Sequence, residues 1–514
     1  MKILLVIALV FTSSLTFAQK IKFKISNHAD TTVNLVRYFG KGLYYADTAQ
    51  MKNGIVEFDG SKQKNGILAL FLPDQKMLEF VFNSEEVSIE ATYPDLMGTV
   101  KVKKSEENKI FSAYVTFINT ERKKASEYAE QLKRLEKGTE EYQSLKEKIS
   151  GTTDKVVAYQ QDIVDNHWDK LVSRIVKMSM DIVIPDPPKD ENGIILDSNF
   201  SFNYFREHYF DNFDFNDDRL VRTPIFHTKM ANYFSKELMF QHCDTVIKYA
   251  YQLCDLLPAK SETYQYTVSW ITSNFEKSKI MNMDKVFVRM AERYYCPKDE
   301  DGNPKAFWVP EKTLTNICEK AQKNADLVYG LRPPNIILRD STDVTWKDFY
   351  SLESEYTILY FWDPECGHCK KITPKLQTLY EKKFRERNIE IFAVGKAVGD
   401  DFDKWKAFIR KHNLEFTNVA VTDRLYRDAM DTTNHQAKLQ KLLRTTTIQS
   451  LNYQQTYDIY TTPRVFVLDK DKKIIAKSLS IAQLEDLMDR LQGKSKLEKI
   501  FKVEEEKPEE SKMH

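Results

Sequence analysis

Two cysteines three positions apart are the residues of this chain whose types and spacing best suit chemistry. They lie in the segment YTILYFWDPECGHCKK as Cys366 and Cys369, with a glycine and a histidine between them. The thiolate of one cysteine can attack a disulfide, and a second thiol nearby can resolve the mixed disulfide that forms. The motif therefore indicates dithiol–disulfide exchange.

The residues around this motif predict a strand followed by a helix. The apolar run 357–362 is typical of a buried strand, and Asp363-Pro364 ends it with a turn. The lysine-rich stretch after the second cysteine is amphipathic and predicts a helix. Cys366 would then lie near the helix N-terminus, where partial positive charge and free amides favour a thiolate.

A CxxC pair can also provide half of a zinc site or close a structural disulfide. Zinc usually needs a second pair of ligands at short spacing. The other cysteines form no second CxxC; they are Cys243, Cys254, Cys296 and Cys318. A continuous helix would separate Cys243 from Cys254 by about 16 Å, too far for a mutual disulfide. Redox chemistry is favoured over metal binding, and the pairing of these four cysteines stays open.

The N-terminal sequence MKILLVIALVFTSSLTFAQ predicts a cleavable signal peptide, residues 1–18. One lysine precedes an apolar core, and Thr16 and Ala18 lie where a signal peptidase requires small residues. No later run is long and apolar enough to cross a bilayer, so we expect no stable membrane insertion. The mature chain is expected outside the cytosol, where disulfides can persist.

The overall charge gives no reason to propose nucleic acid or an anionic membrane as a partner. The 514 residues include 76 Lys plus Arg and 75 Asp plus Glu, a formal net charge of +1. With 29% charged and 12% aromatic residues, the composition is typical of globular domains. The length suits about three domains.

Two regions precede the motif. Residues 19–103 contain short strands at regular spacing, separated by turn residues, which predicts a β-sandwich or a small barrel. Residues 104–326 have the apolar spacing of helices, and we expect a break at Gly138 and a turn at Ser150–Asp154 to separate the first two. This region predicts an all-helical domain.

The helical region is rich in aromatic residues, which could line a ligand groove but more often form the core. Three histidines of this region, His208, His227 and His242, lack metal-type spacing among themselves and are interpreted as structural.

The C-terminal region holds the motif. Residues 327–492 alternate strands with helices and end in a hairpin and a helix, which is an α/β pattern. Residues 493–514 are charged and contain proline, which predicts disorder. The expected fold class is multidomain α+β: an N-terminal β-sandwich, a central all-helical domain and a C-terminal α/β domain.

The C-terminal region resembles a known family. The residues FWDPECGHCKK, the pair Thr462-Pro463 and the lead-in GLRPPNI are similar to the thioredoxin fold, in its periplasmic TlpA/ResA-like branch, over roughly residues 330–492. The two preceding regions resemble modules of unknown function that accompany such domains in envelope proteins. The resemblance implies a thioredoxin fold, a periplasmic location and no prosthetic group.

The resemblance also implies roles for the motif residues. Cys366 is the attacking thiolate, and Cys369 resolves the mixed disulfide. His368 is a hydrogen-bond donor beside the attacking sulfur, and we expect it to lower the pKa of Cys366. Gly-His between the cysteines is also the pattern of protein disulfide isomerase. Potentials of roughly −180 mV for the isomerase and −270 mV for thioredoxin differ by about 4 kcal/mol, so a milder reductant than thioredoxin is expected.

Three further residues receive roles by the same resemblance. Trp362 lies beside the site, Pro463 is a cis-proline packed against the dithiol, and Thr462 presents its backbone to an extended substrate. A cis bond is accessible chiefly before proline. An ordinary turn at the start of a strand is the alternative for this Thr-Pro pair.

The sequence departs from the family at two positions. Tyr360 stands where thioredoxins usually have a buried aspartate, and Ile372 stands where ResA-like proteins usually have a glutamate. Both acids would accept the proton of Cys369. A tyrosine has too high a pKa to be a good base at neutral pH. Asp363 and Glu365 are candidates, but they are more simply interpreted as solvated loop carboxylates.

The sequence thus predicts a thiol–disulfide oxidoreductase that acts on protein disulfides or dithiols and is recycled by an unidentified membrane or periplasmic electron donor. Electrons could flow in either direction, so a reductase and an isomerase are equally defensible. The competing interpretation is a non-catalytic envelope scaffold with a vestigial redox domain. A peroxidase is a distant third, since no separate peroxidatic cysteine is visible.

Overall fold

The computed structural model of the chain describes residues 19–430 and 435–501. The predicted signal peptide lies outside the described residues. Of the predicted disordered tail, residues 493–514, the part from residue 502 onward lies outside them as well.

The chain forms two compact units. The first comprises the described part of Met1–Phe240 with Tyr251–Thr267, and the second comprises Gln241–Ala250 with the described part of Val268–His514. The domain boundaries drawn from the sequence stay predictions.

The first unit begins with a β-sandwich. Its strands are β1 (Lys20–Ser26), β2 (Thr31–Phe39), β3 (Gly42–Met51), β4 (Ile55–Asp59), β5 (Gly66–Phe71), β6 (Met77–Phe82), β7 (Val87–Thr92) and β8 (Lys101–Lys104). They form two four-stranded sheets, of order β4-β1-β7-β8 and β3-β2-β5-β6. Alternate side chains of both sheets, among them Phe23, Leu70 and Phe80, are fully buried in one core. The predicted sandwich is confirmed.

Helices follow the sandwich, as predicted. They are α1 (Glu106–Leu132), α2 (Glu140–Asn166), α3 (Leu171–Ser179), α4 (Phe200–Glu207), α5 (Pro224–Tyr233), α6 (Cys243–Leu256), α7 (Glu262–Glu276), α8 (Asp284–Met290) and α9 (Glu311–Asn324). Not one helix in the described residues is both long enough and apolar enough to span a membrane.

The connection between α1 and α2 tests two sequence predictions. The break at Gly138 is confirmed, since this residue lies between the helices with a φ of +97° that favours glycine. The predicted turn at Ser150–Asp154 is wrong, because these residues lie inside α2. The Thr152 hydroxyl donates to the Ile149 carbonyl at 2.7 Å, so its hydrogen bond is made within the helix rather than in a turn.

Aromatic side chains near α4 and α5 pack against one another. The ring centroids of Tyr209, Phe210 and Tyr233 are 4.7 to 5.3 Å apart. Tyr209 and Tyr233 are buried. Core packing, rather than a ligand groove, is therefore the role of this aromatic group.

The second unit contains a seven-stranded mixed sheet. Its elements are β9 (Ile337–Asp340), β10 (Trp346–Asp348), β11 (Tyr356–Trp362), α10 (Gly367–Leu379), β12 (Ile389–Ala397), α11 (Asp401–Lys411), β13 (Thr417–Thr422), α12 (Asp423–Met430), α13 (His435–Leu442), α14 (Ile448–Leu451), α15 (Tyr453–Thr456), β14 (Arg464–Leu468), β15 (Ile474–Lys477) and α16 (Ile481–Leu491). The strand order is β10-β9-β13-β12-β11-β14-β15. β11 pairs in parallel with β12 and antiparallel with β14.

Strand β11 is buried on both faces of this sheet. Tyr360 and Trp362 lie in one core with Cys369 of α10, whereas Leu359 and Phe361 lie in the core on the opposite face. The continuous apolar run predicted this two-sided burial, which is typical of a central strand. The carboxyl end of β11 is therefore a rigid support for the residues that follow it.

Candidate active site

The turn after β11 places the first cysteine at the start of a helix. The Asp363 carbonyl accepts a hydrogen bond from the Cys366 amide at 3.1 Å, and its carboxylate accepts one from the Glu365 amide at 2.8 Å. Cys366 is the N-cap residue of α10, which begins at Gly367. The sulfur thus lies beside the unpaired amides of the first helical turn, as the sequence predicted.

Cys366 is partly exposed, and its pKa is lowered from the ordinary thiol value. Partial burial of the sulfur acts in the opposite direction, but hydrogen bonds outweigh it, including those from the backbone amides of Cys369 and His368. A lower pKa increases the thiolate fraction near neutral pH, so Cys366 is suited to be the nucleophile.

Cys369 has the opposite environment. Its side chain is fully buried, and burial raises the pKa of its thiol to about 12. The two thiols of the motif are both free in the structure. An attacking cysteine must be accessible and ionise readily, as Cys366 does. A resolving cysteine can be buried and protonated, as Cys369 is.

The Thr462–Pro463 peptide bond is cis, as the resemblance implied. The Cys366 thiol donates to the Thr462 carbonyl at 3.2 Å, across 96 positions of sequence. This contact arises because β14 pairs antiparallel with β11, with Arg464 opposite Phe361. The structure thus brings Thr462 and Pro463 to the dithiol.

His368 and Trp362 differ in how much surface they present. His368 is exposed and contributes its backbone amide to the hydrogen bonds at Cys366. Trp362 is only 1% exposed and packs against Phe408, with ring centroids 5.2 Å apart. Within the described residues its indole nitrogen has no hydrogen-bond partner. A substrate-binding role for Trp362 stays a prediction.

A pair of buried hydroxyls lies in the core beside Cys369. Tyr360 and Thr373 are both fully buried, and their oxygens are 2.8 Å apart. Burial, followed by the charge of Cys369, raises the pKa of Tyr360 far above its ordinary value, so the phenol is not a base here. Sequence reasoning missed Thr373, although its position four residues after Cys369 places both on one helix face.

Lysines surround the two acidic residues of the site loop. Glu365 lies 3.4 Å from Lys370 and 3.5 Å from Lys404, and both partners are about half exposed. Asp363 lies 3.6 Å from Lys396. The pairs of Glu365 face solvent, in agreement with its interpretation as a solvated loop carboxylate, whereas the side chain of Asp363 is only 20% exposed.

One group of three side chains within the described residues has the composition of a metal site. The ligand atoms of His242, Cys243 and Asp244 lie within 4.8 Å of one another. Lys285 lies 2.7 Å from Asp244, and burial raises the pKa of Cys243 to about 11. The Lys285 ammonium beside Asp244 opposes a cation, so this group fits a metal poorly.

The remaining cysteines fall into two classes. Cys296 and Cys318 form a disulfide with their Cα atoms 5.6 Å apart. Cys243 is a buried free thiol, and Cys254 is also buried. Cys318 lies in α9 and Cys296 precedes it by 22 residues, a spacing from which no pairing could be deduced.

The family comparison agrees with this geometry. Residues 354–474 match the family model described as Thioredoxin-like. The C-terminal part of the chain is a thioredoxin-like domain. Two domains of unknown function precede it, DUF4369 over residues 19–111 and DUF5106 over residues 192–322. No curated protein matches the chain.

Solved structures similar to the chain include several redox proteins. A domain of a possible thiol-disulfide isomerase from Cytophaga hutchinsonii is 34% identical, with 34% of this chain and 99% of that chain covered and a TM-score of 0.25. The thioredoxin domain of a thiol-disulfide oxidoreductase from Bacteroides vulgatus is 20% identical, with 32% and 97% covered and a TM-score of 0.24. A thioredoxin-like protein from Bacteroides caccae is 16% identical, with 60% and 98% covered and a TM-score of 0.29.

Proposed function

We propose that this chain is a periplasmic thiol–disulfide oxidoreductase that acts on protein substrates through its Cys-Gly-His-Cys dithiol. The observation that carries the proposal is the unequal environment of the two thiols. Cys366 is accessible with a lowered pKa, whereas Cys369 is buried with a raised one. This difference sets the order in which the two sulfurs react.

The reaction proceeds by two exchanges. The Cys366 thiolate attacks one sulfur of a substrate disulfide, and the other substrate sulfur leaves as a thiolate that takes a proton from solvent. Cys369 then gives up its proton and, as a thiolate, attacks the Cys366 sulfur of the mixed disulfide. The substrate sulfur leaves as a thiolate and takes up that proton. The substrate gains two electrons as a dithiol, and the Cys366–Cys369 disulfide forms.

An external dithiol must reduce the Cys366–Cys369 disulfide before the next turnover. We assign this step to an unidentified membrane or periplasmic protein. The same exchanges run in reverse when the partner disulfide is the stronger oxidant, so the partner decides between reduction and isomerisation. The Cys296–Cys318 disulfide supports a location outside the cytosol, because such bonds persist in oxidising compartments.

Insulin reduction by the full-length mature chain tests the proposal. We expect turnover by the wild type with a dithiol donor, no turnover by Cys366→Ser, and an accumulating mixed disulfide with Cys369→Ser. Cys243→Ser is the matched control, since it removes another thiol that is free but buried. Undiminished turnover by Cys366→Ser would contradict the proposal.

The scaffold alternative is motivated by Tyr360 and Ile372, which occupy the positions of the usual proton acceptors. The redox potential of the Cys366–Cys369 pair, measured in glutathione buffers with thiol trapping, separates the two functions. A reversible potential between roughly −270 and −180 mV supports an exchange enzyme. A pair that never oxidises, or cannot be reduced, supports the scaffold.

A further inference from the structure

A cavity of about 520 Å³ lies in the second unit. Arg464 lines this cavity and follows Pro463 in the chain, while the carbonyl of the preceding Thr462 accepts from Cys366. The opposite lining comes from the loop before α8 and from α9. We call this cavity the Arg464 groove.

Some of the charged side chains that line the Arg464 groove form ion pairs with one another, and others do not. Lys477 contacts Asp284, and Lys320 lies 2.7 Å from Glu276, so these four charges compensate one another. A third lining carboxylate, Asp458, accepts a hydrogen bond from Asn324 at 3.4 Å.

Two cationic side chains of the groove, Arg464 and Lys279, are left against the single charge of Asp458. Among the described residues, no hydrogen bond or ion pair engages the side chain of either cation. Arg464 is half-buried, and its planar guanidinium can bind a carboxylate through two parallel hydrogen bonds. Such a bond is stronger at a half-buried position than at an exposed lysine, because less water competes for it.

An unused hydrogen-bond acceptor lies in the same groove. The side-chain amide of Asn282 donates to the Ile475 carbonyl at 3.2 Å, while its oxygen is buried without a partner in the described structure. Buried polar atoms are nearly always hydrogen-bonded, so this oxygen indicates a missing donor. The backbone amide of a bound peptide provides such a donor.

We propose that the Arg464 groove binds an acidic segment of the protein substrate, next to the disulfide that Cys366 attacks. This inference rests on the proposed function. Arg464 lies two positions after Thr462 in the chain, and a substrate strand advances about 3.3 Å per residue. The carboxylate is therefore expected two to four residues from the attacked cysteine. The groove thereby selects substrates by the charge that flanks their disulfide.

Two synthetic peptide disulfides test the inference. They are identical except that one carries Glu and the other Gln at the second to fourth positions beside the cysteine. We expect the full-length chain to reduce the Glu peptide with about tenfold higher kcat/KM, the usual size of one charge-assisted hydrogen bond. The ratio should fall below about twofold in Arg464→Gln and be partly kept in Arg464→Lys.

Lys470→Gln is the matched control, because it removes one positive charge from the exposed turn between β14 and β15. It should keep the wild-type ratio. Equal rates on both peptides with the wild type would overturn the groove assignment and leave the proposed function standing. Absence of turnover with either peptide would overturn both. The wild-type comparison needs no variant, so it holds even where Arg464→Gln fails to fold.

Discussion

Cys366 and Cys369 are identical side chains three positions apart, yet the fold shifts their pKa values in opposite directions. Hydrogen bonds at the helix N-terminus stabilise the thiolate of Cys366, and burial destabilises that of Cys369. The amino-acid spacing is compatible with this difference but does not impose it, because burial of one sulfur requires the surrounding core.

The shift at Cys366 predicts the pH dependence of its alkylation. The thiolate is the reactive form, so the rate rises with pH and levels off above the pKa of the folded protein. We expect a half-maximal rate below pH 9.0, the ordinary thiol value, when reduced protein reacts with iodoacetamide. Mass spectrometry of the labelled peptide measures the profile. A midpoint at or above pH 9.0 for Cys366 would be inconsistent with the site as described.

The hydroxyl pair of Tyr360 and Thr373 predicts a coupling in stability. Tyr360→Phe should lower the free energy of unfolding by about 1 kcal/mol, because the buried Thr373 hydroxyl loses its partner. Thr373→Val should then destabilise less in the Tyr360→Phe background than alone. Urea unfolding measures all three variants. Tyr356→Phe, on the same strand, is the control; equal losses in both tyrosine variants would argue against the pair.

At the scale of elements, helix α16 is held by buried ion pairs. Asp489 is fully buried and lies 2.6 Å from Arg387, 2.8 Å from Lys499 and 3.2 Å from Lys383. Burial opposes its charge, but hydrogen bonds from these three cations outweigh it and lower the pKa of Asp489. Removing the charge of a buried carboxylate in such a network, or removing its partners, lowers the free energy of unfolding.

Asp489→Asn should therefore lower the free energy of unfolding at neutral pH by about 3 kcal/mol, since the buried Arg387 loses its ion pair. Lys383 keeps its pair with Glu485, and Lys499 keeps its pair with Asp486. The pKa in the folded state is below the unfolded value of about 3.9. The contribution of Asp489 is thus complete above that value and is lost as the pH falls through the folded pKa. Chemical denaturation between pH 2 and 7 should show wild type and variant converging in acid.

Asp486→Asn is the control for this prediction. Asp486 lies on the same helix, 3.0 Å from Arg490 and 3.2 Å from Lys499, but its side chain is 41% exposed, whereas that of Asp489 is fully buried. Exposed ion pairs contribute about 0 to 1 kcal/mol, so this variant should stay close to the wild type. If Asp486→Asn destabilised as much as Asp489→Asn, the loss would reflect charge alone and not the buried network.

At the scale of the whole molecule, the chain carries two kinds of cysteine pair. Cys296 and Cys318 are joined, whereas Cys366 and Cys369 are free, and all four belong to the second unit. The joined pair is interpreted as structural, and the free pair is the one proposed to exchange disulfides. Under the proposed function, the Cys296–Cys318 disulfide takes no part in exchange.

Cys296→Ser with Cys318→Ser should lower the free energy of unfolding by about 3 kcal/mol, the loop-closure entropy for a separation of 22 residues. Insulin reduction at 25 °C should stay unchanged. Thermal and urea unfolding measure the first effect, with Cys243→Ser as a variant that removes a thiol and no bridge. Loss of insulin reduction in the folded double variant would show that this disulfide takes part in exchange.

The sequence by itself determined the local features of the site. The apolar run of β11, the turn at Asp363 and the helix after Cys366 follow from side-chain pattern and proline chemistry over a few residues. The sandwich and the helical region followed from the same periodicities. The prediction of a turn at Ser150–Asp154 failed because a long helix accepts turn-forming residues when their hydroxyls donate to carbonyls of the preceding helical turn.

The tertiary structure alone decided which distant residues meet. The approach of Thr462 to Cys366 was expected only from the family resemblance. The Cys296–Cys318 disulfide and the presence of Arg464 and Lys279 in one groove were not expected at all, and each joins residues far apart in sequence. Sheet pairing and core packing create these contacts, and no local pattern encodes them. The difference in burial between the two thiols of the motif, which shifts their pKa values apart, was likewise decided by the tertiary structure, because it is a property of the folded core.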